Sequence, residues 1–382
     1  MPLNFKCTKY SEANELENKW QSIERNANPD FMLSWVWIST WIDTSLNHWP
    51  GDFSNNAFVL EGYDGDELVS IGIIVRNHEK RHGFISSNQL HLHRLGDPDF
   101  DNICQEYNGI LTKVGYETEA AKAASEFLIS LDNPSSPIGT WDELVIINAE
   151  AHAVDTFLVP GLDPELISIS NSYAINLDDV RETEKPYLQS LSKNSRYQIN
   201  RSIKLYGEQG GMNLEFASSP EQAFEFFIES ADIHKKRWLK EDEISQFDLI
   251  GFMDFHKNLM INAWPKNNIN IMRLTIGEPG SSDEQHIGLL YNFIYNGQVN
   301  FYISALTYEE NPKLKPGMVA HVLAIDHYIQ SGARIYNFMA GDSRYKQSLG
   351  SQTEEMLSYH FKRPRLMFTI EKILKKIKSL IK

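Results

Sequence analysis

Residues 298–346 read QVNFYISALTYEENPKLKPGMVAHVLAIDHYIQSGARIYNFMAGDSRYK. The first part alternates Val299, Phe301 and Ile303 with Asn300, Tyr302 and Ser304, the period-2 pattern of a half-buried strand. A polar loop, LTYEENPKLK, follows. Pro316-Gly317 then opens a helix, because proline suits the first helical turn, where its missing N–H costs nothing. Gly332 ends that helix, and ARIYNF reads as the next strand. The resulting β-loop-α-β unit puts a helix N-terminus at the end of a strand. The free amides of Gly317 and Met318, with Lys313 and Lys315 nearby, form a candidate anion site. Gly341 permits a sharp exit from the last strand. Asp342, Arg344, Tyr345 and Lys346 then project from a loop at a strand end, where sites are often assembled. A tyrosine can act as general acid, and a lysine can fix a phosphate or carboxylate as a point charge. Asp326 falls on the helix's apolar stripe of Val319, Val322, Leu323 and Ile329, either as a stripe edge or beside a pocket.

The same unit occurs twice. Residues 57–76, AFVLEGYDGDELVSIGIIVR, read as a hairpin closed by Asp64-Gly65, a dipeptide that accepts positive φ at low cost. Residues 269–295, INIMRLTIGEPGSSDEQHIGLLYNFIY, repeat the plan, with Ile287-Gly288 in the place of Ile71-Gly72. Each hairpin continues through another turn into a third strand, at His82-Gly83 and at Asn296-Gly297. A repeat this long means two similar domains, since solenoid periods run about 20–50 residues. Helical patterns cover 11–25, 32–46 and 117–131 in the first half, and 186–206, 220–239 and 247–264 in the second. A short strand is expected at 172–177. The expected class is α+β, or mixed α/β: two tandem domains, each a mostly antiparallel twisted sheet flanked by helices. The domains are expected at 1–170 and 171–364, followed by a C-terminal helix at 365–382.

Composition narrows the function. The 382 residues are 42% hydrophobic and 23% charged, the balance of a packed globular chain. No apolar run approaches the roughly 18 residues that span a bilayer. The first ten residues, MPLNFKCTKY, lack the apolar core of a secretory signal, so a cytoplasmic protein is expected. Cys7 and Cys104 cannot build a disulfide framework or a cysteine-type zinc site. A net charge of −15 argues against duplex nucleic acid, which needs a basic surface. Yet residues 362–382 hold eight basic residues and one acid, Glu371. There RLMFTIEKILKKIKSLIK places Leu366, Ile370, Ile373, Leu374, Ile377, Leu380 and Ile381 at helical spacing. Such a helix either lies on an anionic membrane, here the inner membrane face, or packs on its own domain or a partner.

Three further patterns bear on the chemistry. His78, His82, His91 and His93 cluster, but no cysteine or close carboxylate completes a zinc site, and no metal is expected. GDPDFDN (96–102) lacks the glycine and distal glutamate of an EF-hand loop. The basic helix SKNSRYQINRSIK offers Arg196, and IHKKRWLKE offers Trp238, either as groups receiving substrate or as ordinary wet or packed helix faces.

Together these stretches resemble a known family. SWVWISTW (34–41), LSKNSRYQINRS, the HKKRW helix, HIGLLYNFIYNGQVNFYISA and above all KPGMVAHVLAIDHYIQSGARIYNFMAGDSRYK resemble the duplicated GNAT-type acyltransferases of the CelD/BioF2-like group, relatives of the FemAB aminoacyltransferases. The resemblance spans nearly the full length. It implies two GNAT-like folds, the first degenerate, and transfer of an acyl group from a thioester to an amine. The implied co-substrate is acyl-CoA, acetyl or longer. The implied acceptor is an amino sugar or peptide amine of cell-envelope or exopolysaccharide biosynthesis. The chain departs from the GNAT pyrophosphate loop, Q/R-x-x-G-x-G/A, and offers only Pro316-Gly317. Two alternatives therefore stay open: an aminoacyl-tRNA donor, or a non-catalytic subunit of an envelope-polymer assembly. The expected roles follow the local chemistry. Lys313, Lys315, Gly317 and Met318 would hold the donor. Asp342, Tyr345 and Lys346 would be catalytic. Arg196, Trp238, Tyr302 and Arg344 would meet substrate.

Overall fold

The computed structural model describes residues 3–81, 85–101, 103, 105–238, 245–307 and 310–381, with the side chains of 236–238 and 375–381 outside that description. The His82-Gly83 turn, Cys104 and the Trp238 side chain thus lie outside the described residues. The first half contains β1 (Asn4–Lys9), α1 (Leu16–Glu24), α2 (Trp35–His48), α3 (Phe53–Asn56), β2 (Ala57–Asp64), β3 (Glu67–Arg81), β4 (Ile85–Leu92), β5 (Leu111–Thr112), α4 (Glu117–Ser130), β6 (Glu143–Glu150) and α5 (Ala151–Asp155). Then come β7 (Asp163–Asn176), α6 (Leu177–Glu182), α7 (Lys193–Gly207), β8 (Met212–Phe216), α8 (Pro220–Trp238) and α9 (Phe252–Ala263). The chain continues with β9 (Ile269–Ile276), β10 (Gln285–Tyr295), β11 (Gln298–Leu306), α10 (Pro316–Gln330), β12 (Ile335–Ala340), α11 (Arg344–Leu349), β13 (Ser351–Lys362) and α12 (Leu366–Ile381).

Two compact units result: Met1–Ile169 with Glu355–Lys382, and Ser170–Glu354. In unit 1, β1, β2, β3 and β4 pair antiparallel in sequence, β4 pairs parallel with β6, and β6 pairs antiparallel with residues 356–362 of β13. In unit 2, β8, β9, β10 and β11 pair antiparallel, β11 pairs parallel with β12, and β12 pairs antiparallel with residues 172–176 of β7. Order and sense repeat strand for strand, so the duplication read from the two hairpins is real. Each unit is a mostly antiparallel sheet with helices packed on it, a mixed α/β fold.

The hairpin turns form where their dipeptides predict. Gly65 has φ 60°, and Asn296 and Gly297 have φ 48° and 75°, the left-handed values that close a tight hairpin matching the strand twist. In unit 1, Ser34 caps α2 by accepting from the Trp37 amide, and α2 buries Trp37 and Trp41. In unit 2, α10 buries Val319, Ala320, His321, Val322, Ala324, Ile325 and Tyr328.

The sixth strand of each sheet comes from a distant part of the chain. Residues 355–362, placed with the second domain in the sequence reading, complete the sheet of unit 1, from Met356↔Glu150 to Lys362↔Glu143. The strand expected at 172–177 begins earlier, at Asp163. Both sheets also share a bulge at this strand. Phe338 and Met339 fall between the pairs Asn337↔Ala174 and Ala340↔Ser172, and Met339 has φ 60°. Ile147 and Asn148 fall between Tyr359↔Ile146 and Leu357↔Ala149, and Asn148 has φ 55°. A left-handed residue recurs at the same place in the two copies, where a bulge redirects the strand.

Candidate functional site

The candidate site of unit 2 begins where two parallel strands part. β11 and β12 pair for only three residues, from Gln298↔Ile335 to Asn300↔Asn337, although β11 runs on to Leu306 and β12 to Ala340. Both strands are bent at that point. On β12 the Met339 bulge intervenes, and the Asn337 side chain accepts from the Met339 amide at 2.8 Å. On β11 Tyr302 is the extra residue of a second bulge, between Ile303↔Tyr291 and Phe301↔Asn292. The strands therefore diverge past Asn300 and Asn337.

His321 of α10 lies beneath this divergence. Its ring meets Phe301 of β11 edge-on at 4.5 Å and Phe338 of β12 at 5.2 Å, and it stacks on Tyr345 at 5.4 Å with 10° between planes. Its Nδ1 is 3.0 Å from the Tyr336 hydroxyl. Burial, then the charge of Lys346, lowers its pKa to about 3, so the ring is neutral at pH 7. Sequence reading missed His321. Its position among Ala320, Val322 and Ala324 makes it a buried polar residue inside an apolar helix run, and that was the available signal.

The start of α10 abuts the end of β11. A Cβ added to Gly317 would sit 3.2 Å from Leu306 Cδ1. Ser202 of α7 anchors this entry by accepting from the Lys315 amide at 2.9 Å. Lys315 and Met318 are half-buried, and Lys313 is exposed. The first amides of a helix have no partner within it, so Gly317 and Met318 present N–H groups at the mouth of the divergence.

The other predicted residues do not form a single cluster. Asp342, Tyr345 and Lys346 come together at the end of β12. Asp342 is exposed and accepts from Asn171 Nδ2 at 2.7 Å and from the Tyr173 hydroxyl at 3.3 Å. The Asn171 hydrogen bond in particular holds its carboxyl below the usual range, which makes it a weak base. Lys346 is buried, and its ammonium donates to the Met339 and Ala340 carbonyls. It therefore fixes the bulge that opens the strands. Arg344 is exposed on α11. Tyr302 lies apart from that group, packed with His256 at 5.3 Å, Tyr291 at 5.6 Å and Phe293 at 4.8 Å. Arg196 is drawn away: its Nη1 donates to the Gln189 and Leu191 carbonyls, each at 2.9 Å, so it closes the turn ahead of α7. Trp238 is the last residue of α8. Asp326 is half-buried, and burial raises its pKa.

One variant separates structure from chemistry here. Lys346→Ala removes the donor to two carbonyls at the bulge. We expect it to lower the melting temperature of unit 2 by several degrees, from about 1–3 kcal/mol of lost hydrogen bonding. Asp342→Asn keeps an acceptor for Asn171 and Tyr173 and should melt like wild type. Thermal melts of both variants check this.

Unit 1 has the same divergence, filled by its own chain. β4 and β6 pair from Gln89↔Glu143 to His91↔Val145. Past that point Asn108 bridges the strands: its Nδ2 donates to Leu92 O at 2.9 Å and its amide to Asn148 O at 3.1 Å. Asn148 Nδ2 in turn donates to Gln105 O at 3.2 Å. His91 and His93 are consumed as well. His91 Nε2 donates to Gln89 Oε1 at 2.9 Å and His93 Nδ1 to Asn108 Oδ1 at 3.1 Å. Among the described residues no group of three or more His, Cys, Asp and Glu side chains could hold a metal ion. Burial pushes the Cys7 thiol up to about 12, far from the thiolate a nucleophile needs.

A separate pocket of about 840 Å³ lies in unit 2 at the other end of β12, beside Ile335 and the start of α7. Asn176, Asp179, Ser192, Asn194, Gln347 and Thr353 line it with hydroxyl and amide groups and one carboxylate. No sequence motif marked it.

Comparison with known proteins bears on the fold. Residues 193–347 match the family model described as an acetyltransferase (GNAT) domain. No curated protein matches the sequence. Among solved structures, the fold is similar to that of FemX, with a TM-score of 0.59 at 9% identity over 94% of this chain and 98% of that one. It is also similar to a conserved protein of unknown function from Bacteroides thetaiotaomicron, with a TM-score of 0.52 at 8% identity over 92% and 99%. L-PGS from Bacillus licheniformis gives a TM-score of 0.50 at 9% identity over 94% and 96%. At these identities the structures speak to the fold. The domain match and the repeated sheets define the class: residues 193–347 match an acetyltransferase domain, within a chain whose fold is a duplicated GNAT fold.

Proposed function

We propose that unit 2 moves an acyl group from acyl-CoA, acetyl or longer, to a primary amine. The divergence of β11 from β12, with a helix N-terminus at its mouth, carries this reading. The donor phosphates would meet the Gly317 and Met318 amides, with Lys313 and Lys315 adding charge. The thioester arm would enter between the strands, where backbone amides released from the ladder can face the carbonyl oxygen. The amine nitrogen attacks the carbonyl carbon, the oxyanion collapses, the carbon–sulfur bond breaks, and Tyr345 protonates the leaving thiolate. The proton shed by the amine goes to solvent, since Asp342 is a weak base. Lys346 acts by holding the bulge.

The acceptor fitting this reading is an amino sugar or peptide amine used in cell-envelope or exopolysaccharide synthesis, in the cytoplasm. The hydroxyl- and amide-lined pocket suits the remote part of a glycan. A second reading, an aminoacyl-tRNA donor of the FemAB type, is favoured by the match to FemX over 94% of this chain, and opposed by the net charge of −15. A thermal-shift screen separates them. Acetyl-CoA, a longer acyl-CoA or CoA near 100 times Kd should stabilise unit 2 by about 2.7 kcal/mol and raise its melting temperature by several degrees. A shift with charged tRNA alone selects the second reading. A shift with neither leaves the non-catalytic subunit.

A further inference from the structure

The C-terminal helix is turned in an unexpected direction. In a helix packed on its own domain the apolar stripe faces inward and the charges face water. In α12 the arrangement is reversed. Leu366 is 84% exposed, Ile370 52%, Ile373 53% and Leu374 45%, and these lie at i, i+4, i+7 and i+8, on one face. The acid of the helix, Glu371, is only 3% exposed. It lies 3.5 Å from Arg81 and 3.5 Å from Lys362, while Phe368 packs beneath the same two cations. Lys372 pairs with Asp163 on the neighbouring strand. The inward face is thus fixed by ion pairs and one aromatic ring, and the aliphatic stripe is left outside. In the sequence Ile377, Leu380 and Ile381 continue the same i, i+3, i+4 spacing, and Lys375, Lys376 and Lys378 are interleaved with them. A 16-residue helix is too short to cross a bilayer, and among the described residues no helix is long and apolar enough to do so.

We propose that this outward face of α12 docks unit 1 on an anionic lipid surface. The occupant follows from charge. The sequence gathers Lys375, Lys376, Lys378 and Lys382 at its end in a chain whose net charge is −15. An aliphatic stripe with flanking lysines places its methyl groups at the acyl boundary and its ammonium groups among phosphates. The buried Glu371 sets the orientation by holding the opposite face to the protein. This interaction stands independently of the acyl-transfer reading.

The test uses the full chain and vesicles of 30% phosphatidylglycerol in phosphatidylcholine, or of phosphatidylcholine alone. Wild type should sediment with the anionic vesicles, weakly or not at all with the neutral ones, and less at high salt. The double variant Ile370→Asp/Ile373→Asp changes two exposed positions, should keep its melting temperature, and should lose about tenfold or more in vesicle partitioning. Wild type that stays in the supernatant with anionic vesicles overturns the proposal. So does a double variant that binds as well as wild type. A wild-type dimer that the double variant converts to monomer, with no vesicle binding by either, would overturn it too, by showing that a second copy covers the face.

Discussion

Replacing Glu143 by Ala is expected to destabilise unit 1 by about 3–5 kcal/mol, the usual cost of breaking a buried, fully partnered charge. Glu143 has no exposed side-chain surface and joins four strands. It accepts from Ser87 Oγ and Gln89 on β4, lies 2.9 Å from Arg81 of β3, and accepts from His360 Nδ1 of β13 at 2.9 Å. Burial alone would raise its pKa, but the His360 and Ser87 hydrogen bonds and the Arg81 charge outweigh it and bring the value to about 2. The folded value lies below the unfolded one. This stability is therefore fully present above the unfolded carboxyl pKa of roughly 4.5 and is lost as pH falls toward 2. At neutral pH the Ala variant should melt about 10 °C lower, since a unit of this size shifts about 2–4 °C per kcal/mol. Glu143→Gln, which keeps the shape and one acceptor, should lie between. A melting temperature within about 2 °C of wild type for the Ala variant would show that the network contributes nothing net.

Acid should destabilise the protein before most carboxylates titrate. His91, His93, His256 and His321 are fully buried, and burial lowers their pKa values to about 3, 4, 3 and 3. Below the unfolded value of about 6.5 the unfolded chain takes up a proton at each, and the folded chain does not. Stability is thus complete above that pH and falls as pH drops, by up to about 1.4 kcal/mol per histidine per pH unit. Two of the four lie in each unit, so each unit should lose about 4 kcal/mol by pH 5, a large part of an ordinary domain's stability. Asp101 and Asp326, raised by burial, oppose this in part. The expected result is a melting temperature flat from pH 7 to 8 and lower by about 10 °C or more at pH 5. His256→Phe is a control: the ring sits among Phe227, Phe252, Phe255 and Tyr291, so an apolar ring fits, and the variant should flatten the slope of unit 2. Equal melting at pH 5 and 7.5 would contradict the neutral, buried state of these rings.

The hairpins, their duplication and the helix from Pro316 were legible because they rest on local signals: period-2 alternation, Asp-Gly and Asn-Gly turns, proline and glycine at helix ends. What escaped was long-range. The partners of Glu143 lie 56 and 217 residues away, and nothing in WDELVIIN marks its carboxylate as buried. Residues 355–362 read as an ordinary strand, and pairing with β6 leaves no trace in their own pattern. Arg196 looked available because its capture by two carbonyls depends on a turn conformation. The Met339 bulge left no local mark, and His321 showed only as a polar residue in an apolar helix run, because both enter the candidate site only when two parallel strands part above them. In α12 the periodicity gave the helix and not its facing, because the ion pairs to Arg81 and Lys362 decide which side turns inward.

The central claim is that the start of α10 in unit 2 holds the phosphates of an acyl-CoA donor. Isothermal titration of acetyl-CoA and CoA into wild type and Gly317→Asp tests it directly. An aspartate in the first turn favours the helix, and its Cβ meets only the end of the Leu306 side chain, so the variant should fold and melt like wild type. It also places a negative charge where the donor phosphate would sit. The account predicts one site per chain in wild type and binding weakened about tenfold or more in Gly317→Asp. No binding of either ligand to wild type, or equal binding to both proteins, would contradict it.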